Sequence, residues 1–303
     1  MPITAVQRES RKNHLGSSDM AAILGLDKYR NAYDVWLEKT GKLADQTETQ
    51  AMMAGTMFED GVLQYAEREL GKLTRNQYRS VKSEGIPLGA HIDALLVESG
   101  IPVEAKTAGL FGPLQDIWGA EGTDEVPDRV IIQVHVGMLC TGKELCHVPA
   151  FLGGRGFAMF IVPRDKIISE VVTEAAVEFW DKNVLADTPP DNTLPHAASI
   201  KRIRREPATI TELDQKLVDQ WLTAKSDLKQ IEAAKDAAEL AMLTALGQAE
   251  GGLTPDGILT YLSQLRATVD GKTLKTEHPE IYEQYSKTSR FRVARWKRWN
   301  KTK

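Results

Sequence analysis

The chain has 303 residues, 42% hydrophobic and 26% charged, an ordinary globular composition with a length that fits about two domains. No stretch approaches the ~20 consecutive apolar residues that cross a bilayer, the opening MPITAVQRESRKNHLG lacks the apolar core of a secretion signal, and two cysteines are too few for a disulfide framework. The net charge of −4 excludes a simple basic nucleic-acid coat, but it is uneven: 19 Lys+Arg against 28 Asp+Glu over residues 1–200, and 19 against 14 over 201–303.

In chain order, apolar periodicity near 3.6 predicts helices over 18–25, 31–40, 51–70, 128–141 and 172–184. Period-two alternation predicts strands over 76–82, 88–97, 101–107, 145–151 and 156–162. An α/β or α+β domain over 1–186 is expected. Pro189, Pro190, Pro195 and Pro207, with the basic run Lys201 to Arg205, read as a linker over 187–210. Beyond it, Leu217, Trp221, Ala224, Leu228, Ile231, Lys235, Ala238, Met242 and Ala245 alternate steps of four and three. That heptad seam predicts a long packing helix, docked on its own domain or on a neighbouring subunit, within a 211–303 extension. From Gln284 onward there are eight Lys or Arg and no acid; Arg290, Arg292, Arg295, Lys297, Arg298, Lys301 and Lys303 are interleaved with Phe291, Trp296 and Trp299. Cys140 and Cys146 lack metal-site spacing and read as buried or idle thiols, and zinc is not expected.

The chemistry concentrates in Leu88 to Thr107, two apolar-rich runs separated by Glu98-Ser99-Gly100. A hairpin turning at Ser99 sets Asp93 opposite the Glu104 to Lys106 segment, and strand periodicity puts 104 and 106 on one face. Carboxylates among Ile92, Leu95, Val103 and Ala105 need a compensating cation. Oxygen donors select Mg²⁺ or Mn²⁺ over zinc. The plainer alternative is a lysine–carboxylate ion pair at a sheet edge. Glu59 shares a helical face with Leu63, Ala66 and Leu70, where it either pairs with a neighbour or joins the same site. Gln133, on the otherwise apolar helix that also carries His135, offers an amide suited to a water or a phosphate oxygen. His135 itself reads as a satisfied core or surface histidine. At the front, Gly16-Ser17-Ser18-Asp19 signals a helix N-cap, and the same geometry also suits a phosphate site. Arg11 could supply a planar fork for that phosphate.

Arg11 to Ser18, Glu59, Asp93, the Glu104-Ala105-Lys106 triplet and Gln133, in this order, resemble the YqaJ-type viral recombinases. These are phage lambda-type exonucleases of the PD-(D/E)xK nuclease superfamily. The resemblance covers about residues 8–185. It implies a PD-(D/E)xK core, a central mixed sheet flanked by helices. It implies that Asp93 and Glu104 bind Mg²⁺, with the Ala105 carbonyl as a further ligand and Mn²⁺ as a substitute, and that Lys106 attends the nucleophilic water. Glu59 and Gln133 would support the same centre, while Arg11 and Ser18 match positions that hold the 5′-phosphate of a DNA end. Two departures stand out: Ile92-Asp93-Ala94 replaces a common Pro-Asp-Gly, and Ile132 replaces an aromatic before the glutamine.

The implied activity is an ATP-independent, Mg²⁺-dependent 5′-to-3′ exonuclease on duplex DNA ends in phage-type recombination. It would release 5′-mononucleotides and leave a 3′ overhang. No G-x-x-x-x-G-K-[ST] phosphate loop occurs in the chain. A homotrimer, a single-strand annealing partner and the bacterial host cytoplasm are the implied setting, with no membrane contact. An endonuclease using the same site and a non-catalytic DNA-binding scaffold are the alternatives.

Overall fold

In a computed structural model of the chain, residues 13–44, 49–109, 118–191 and 193–288 are described. Arg11 and the basic stretch from Arg290 onward lie outside the described residues. The chain divides into two compact units, 1–209 and 210–303.

The first unit is built on one mixed sheet. Strand β1 (Leu73–Ser80) pairs antiparallel with β2 (Gly89–Leu96), and β2 pairs antiparallel with β3 (Pro102–Val103). Both β3 and β4 (Lys106–Ala108) run parallel to β5 (Leu145–Leu152). Strand β6 (Gly156–Pro163) pairs with β5 along its whole length, so β3 and β4 must share the other edge of β5 in succession.

Alternation then fixes the layers. The even residues of β5, Cys146 to Leu152, pack with Val130, Val134 and Met138 of α4 (Asp128–Thr141). The odd residue Phe151 instead stacks on Phe58 of α3 (Gln50–Leu70), at 6.0 Å between ring centroids. Helices α4 and α3 therefore cover opposite faces. On the α4 side, α1 (Ser17–Ile23), α2 (Ala32–Lys39) and α5 (Lys166–Phe179) complete an apolar layer around Leu15, Met20, Val35 and Val172. The expected α/β architecture, a central mixed sheet flanked by helices, is present.

Two expected elements differ in instructive ways. Helix α5 starts six residues before the expected 172, because the Asp165 carboxylate accepts the Ile168 N–H at 2.9 Å and caps it there. The strand expected over 101–107 is interrupted at Glu104 and Ala105, whose amides bond outside the β2–β3 ladder.

Residues of the segment read as a linker, 187–210, are hydrogen-bonded into the first unit. Asn31 Nδ2 donates to the Leu194 carbonyl (2.9 Å), and the His196 N–H donates to Asp34 Oδ1 (3.0 Å). Helix α6 (Ala197–Arg202) follows, then Ala44 N–H bonds Arg202 O and Arg204 N–H bonds Lys42 O, both at 2.8 Å. In the second unit, α7 (Gln215–Leu246) carries the heptad seam, and a hairpin of β7 (Gly251–Thr254) and β8 (Gly257–Thr260) precedes α8 (Gly271–Glu277) and α9 (Pro279–Tyr285). No residue of α7 is buried, so this unit does not cover its seam.

The helix layer is held by a buried ionic cluster that the sequence reading did not anticipate. Asp19 Oδ1 meets Arg30 at 2.8 Å and its Oδ2 meets Lys39 Nζ at 2.7 Å, with the Lys39 side chain only 2% exposed. Burial alone would raise the Asp19 carboxyl, but the charges of Lys39 and Arg30 outweigh it and hold it well below the usual carboxylate range. Removing one partner of such a cluster strands the other charges. Asp19→Ala should therefore lower unfolding free energy by about 3–5 kcal/mol in urea denaturation. A change within about 0.5 kcal/mol would show that the cluster does not hold the layer.

Candidate active site

The hairpin register follows from Ala94 facing Val103 and Leu95 facing Pro102, which sets Asp93 beside Glu104. At that point β2 and β4 diverge. The Asp93 carboxylate fills the gap, its Oδ2 accepting the Ala105 N–H at 2.9 Å, while the Glu104 N–H bonds the His147 carbonyl of β5 at 2.9 Å. Lys106, facing Ala150 of β5, turns its Nζ to Glu104 Oε1 at 2.6 Å. Two acids and a lysine thus meet where the sheet forks. The ion pair of the plainer alternative is real, but with side chains 19% and 16% exposed it is not a loose surface pair.

The electrostatics of the fork are unbalanced. Burial, then the Glu104 charge, pushes the Asp93 carboxyl well above its ordinary value, with Lys106 opposing and Glu59 adding to the rise. Burial would depress Lys106, but Glu104 and Asp93 outweigh it and keep the amine protonated. Cys146 lies close enough beneath to feel the same charges; burial first, then Glu104, raises its thiol well above the usual value. Cys140 is pushed up to about 12, mainly by burial. Both thiols are free and buried, as expected from the sequence.

Glu59 sits half-buried on α3 one turn before Leu63, which is 2% exposed, with Ala66 at 0%. Its charge reaches Asp93, yet among the described residues no group of three or more His, Cys, Asp or Glu side chains is placed to hold a metal ion. The donor set is therefore Asp93 and Glu104, with the Ala105 peptide fixed beside them. A hard divalent cation that takes one or two carboxylates and fills its remaining shell with water or phosphate oxygen fits this set. It would also offset the burial and the Glu104 charge that raise Asp93. A second sign is on α4, where the Gln133 Oε1 is buried with no hydrogen-bond partner among the described residues, as suits an acceptor for a ligand or water.

At the front, the helix is capped within Gly16 to Asp19, as the sequence signals. Gly16 occupies the N-cap position and offers no side chain; the Asp19 carboxylate reaches back to the Gly16 N–H at 2.9 Å instead. Ser18 is in the first turn, exposed, and does not cap. Next to it, His14 is buried against Tyr78 of β1, at 3.3 Å from the hydroxyl to Nδ1, and Tyr78 rests on His91, two residues before Asp93. Gly89 is required here, since an added Cβ would lie 2.7 Å from both His14 and Tyr78. The sequence reading missed this aromatic group, because its members are joined only through strand pairing.

Residues 8–144 match the YqaJ-like viral recombinase domain, so the match contains the whole fork. Over 293 residues the chain is 25% identical to the uncharacterized protein YqaJ of Bacillus subtilis, covering 93% of this chain and 90% of that protein. In structure it is similar to the alkaline exonuclease LHK-Exo from Laribacter hongkongensis, at 18% identity, over 61% of this chain and 94% of that one, with a TM-score of 0.47. A putative exonuclease from Eubacterium rectale is similar at 13% identity, over 69% and 97% of the two chains, with a TM-score of 0.43. Among the described residues no helix is long and apolar enough to cross a membrane.

His135 is a core residue with both ring nitrogens engaged. Its Nδ1 donates to the Ile131 carbonyl at 2.7 Å and its Nε2 accepts the Asp165 N–H at 3.0 Å, which requires the neutral ring. Burial lowers its pKa below the ordinary 6.5. The unfolded chain then binds the proton first, so this contribution is full above about pH 6.5 and declines as pH falls through the window down to the folded value. Denaturant midpoints should fall between pH 7 and 5.5, and His135→Gln should flatten that acid-side decline while lowering stability at pH 7. An equal decline in both proteins would show that His135 is not its source.

Proposed function

We propose that the chain is a Mg²⁺-dependent, ATP-independent DNA exonuclease that digests the 5′-ended strand of duplex ends, releases 5′-mononucleotides and leaves a 3′ overhang. The observation that carries this reading is the fork itself, with Asp93 locked to Ala105 and Glu104 to Lys106 inside a viral recombinase domain.

Asp93, Glu104 and the Ala105 carbonyl would hold the metal. When bound, Mg²⁺ lowers the pKa of coordinated water and offsets charge on the phosphate oxygens. The chain's own residues do the rest. The Asp93–Ala105 bond fixes the angle between the two strands and so the spacing of the acids. Lys106, protonated and tethered to Glu104, orients the attacking water and offsets phosphate charge. Gln133 presents a buried acceptor to that water. Glu59 adds negative charge at the acid side without being a ligand. Ser18, exposed and free of a capping role, is open to the 5′-phosphate of the end, with Arg11 as its companion.

The setting implied is a phage or prophage recombination pathway in the bacterial cytoplasm, acting with a single-strand annealing protein and as a homo-oligomer, a trimer in the first instance.

End-labelled linear duplex with Mg²⁺ tests the reading. Acid-soluble mononucleotides should appear from 5′-phosphorylated ends and vanish on chelation, while closed circular DNA stays intact. Cutting of circles would favour an endonuclease, and retained DNA binding with no release would favour a scaffold. Asp93→Asn and Glu104→Gln should reduce release to background, and Lys106→Ala should cost about 10²–10⁴-fold. Normal turnover by any of the three removes the centre. Ser18→Ala should change stability by less than about 0.5 kcal/mol yet erase the preference for 5′-phosphate over 5′-hydroxyl ends. A stability loss of about 1 kcal/mol with the preference intact would restore the capping role.

A further inference from the structure

Helix α4 crosses the sheet with two apolar stripes. Val130 and Val134 enter the cluster on the β5–β6 side, while Ile132 and Val136 enter the cluster shared with Ile92 of β2. Between the stripes runs a narrow row, Arg129, Gln133 and Gly137, spaced four apart and so on one line of the helix. Gly137 closes against Ile92, whose Cδ1 would lie 3.5 Å from an added Cβ, so the row faces the sheet one residue from Asp93. One turn towards the helix N-terminus comes the buried acceptor of Gln133, and one further turn brings Arg129, half-buried, into the field of Lys106.

Two fields of like sign meet at that position. Arg129 is the second residue of α4, where the helix macrodipole is positive and disfavours a cation. It also opposes Lys106, a like charge already close to the centre. A phosphodiester held at the fork would reverse both relations, because its anion attracts both cations and the helix end together. A guanidinium matches two phosphate oxygens at once, which an ammonium cannot do.

We propose that Arg129 is a substrate-contacting catalytic residue of this centre, its guanidinium gripping the scissile phosphate from the α4 side, opposite the carboxylates. This rests on the nuclease reading above and extends it to a residue outside the acid–lysine triplet. The phosphate would lie between Arg129 and Lys106, with Asp93 and Glu104 behind it, and Gln133 beneath.

The test uses the full chain with Mg²⁺ and labelled linear duplex. Arg129→Ala should lower kcat by about 10²-fold, the cost of removing one preorganised charge-stabilising donor, with the thermal midpoint unchanged or raised. Added guanidinium, well below denaturing concentrations, should recover part of that rate, and potassium at equal ionic strength should not. Arg129→Lys, which keeps the charge and loses the fork, should remain well below the wild type. Wild-type kcat in Arg129→Ala overturns the inference. So does a rate loss that tracks a lowered midpoint and is not rescued by guanidinium, since that describes a packing role. If the wild-type chain itself releases no nucleotides, the nuclease reading fails; if it does, and only the arginine variants behave normally, this inference alone fails.

Discussion

The hydrogen bond from the Ala105 N–H to Asp93 Oδ2 is the constraint on which the candidate site depends. A backbone donor that would otherwise join a ladder is given to a side chain, and the edge of β5 is therefore shared by two short strands in place of one long one. The cost is a broken ladder. The gain is that Glu104 and Lys106 are aimed from a fixed peptide and not from the middle of a flexible hairpin. A carboxylate held by a backbone amide is stabilised in its charged form, yet Asp93 is still raised, so burial and the Glu104 charge together exceed what Lys106 and one amide can offset. The protein's own groups leave a surplus unfavourable to the Asp93 charge.

That surplus contrasts with the charges a few turns away. Asp19 is more deeply buried than Asp93, but Lys39 and Arg30 surround it and its carboxyl is lowered. Asp34 is similar: burial opposes its ionisation, and hydrogen bonds from His196, Ser199 and the Asn31 and His196 amides more than compensate. Two buried acids are thus satisfied internally and a third is left raised. The difference separates carboxylates that hold the fold from one suited to an external cation.

Much of this was legible in the sequence where the signal is local. Helix α4 over 128–141 coincides with its periodicity, and the turn at Ser99 set the register that brings Asp93 to Glu104. The break at 104–105 was not legible, because an apolar-rich run reads as a continuous strand whether or not its amides are diverted. The N-cap signal at Gly16 to Asp19 was legible, but not that Asp19 acts backwards on Gly16, nor that the same carboxylate meets Lys39 through tertiary packing that no spacing rule encodes. Arg129 was passed over for a related reason: its weight comes from lying in line with Gln133 over a particular strand, which requires knowing what the helix covers.

The stitching of residues 194–204 onto α2 also bears on where the domain ends. Helix α5 continues as a wider turn through Leu185, and the prolines that follow suggest a boundary there, but a chain stopped at that point would lose the His196 and Ser199 donors to Asp34 and the strand-like partner of Leu43. Asp34, 2% exposed in the intact fold, would lose the groups that cover and hydrogen-bond its carboxylate. The smallest autonomous fragment therefore ends beyond Arg204. The proline-rich segment acts as the last turn of wrapping around the helix layer.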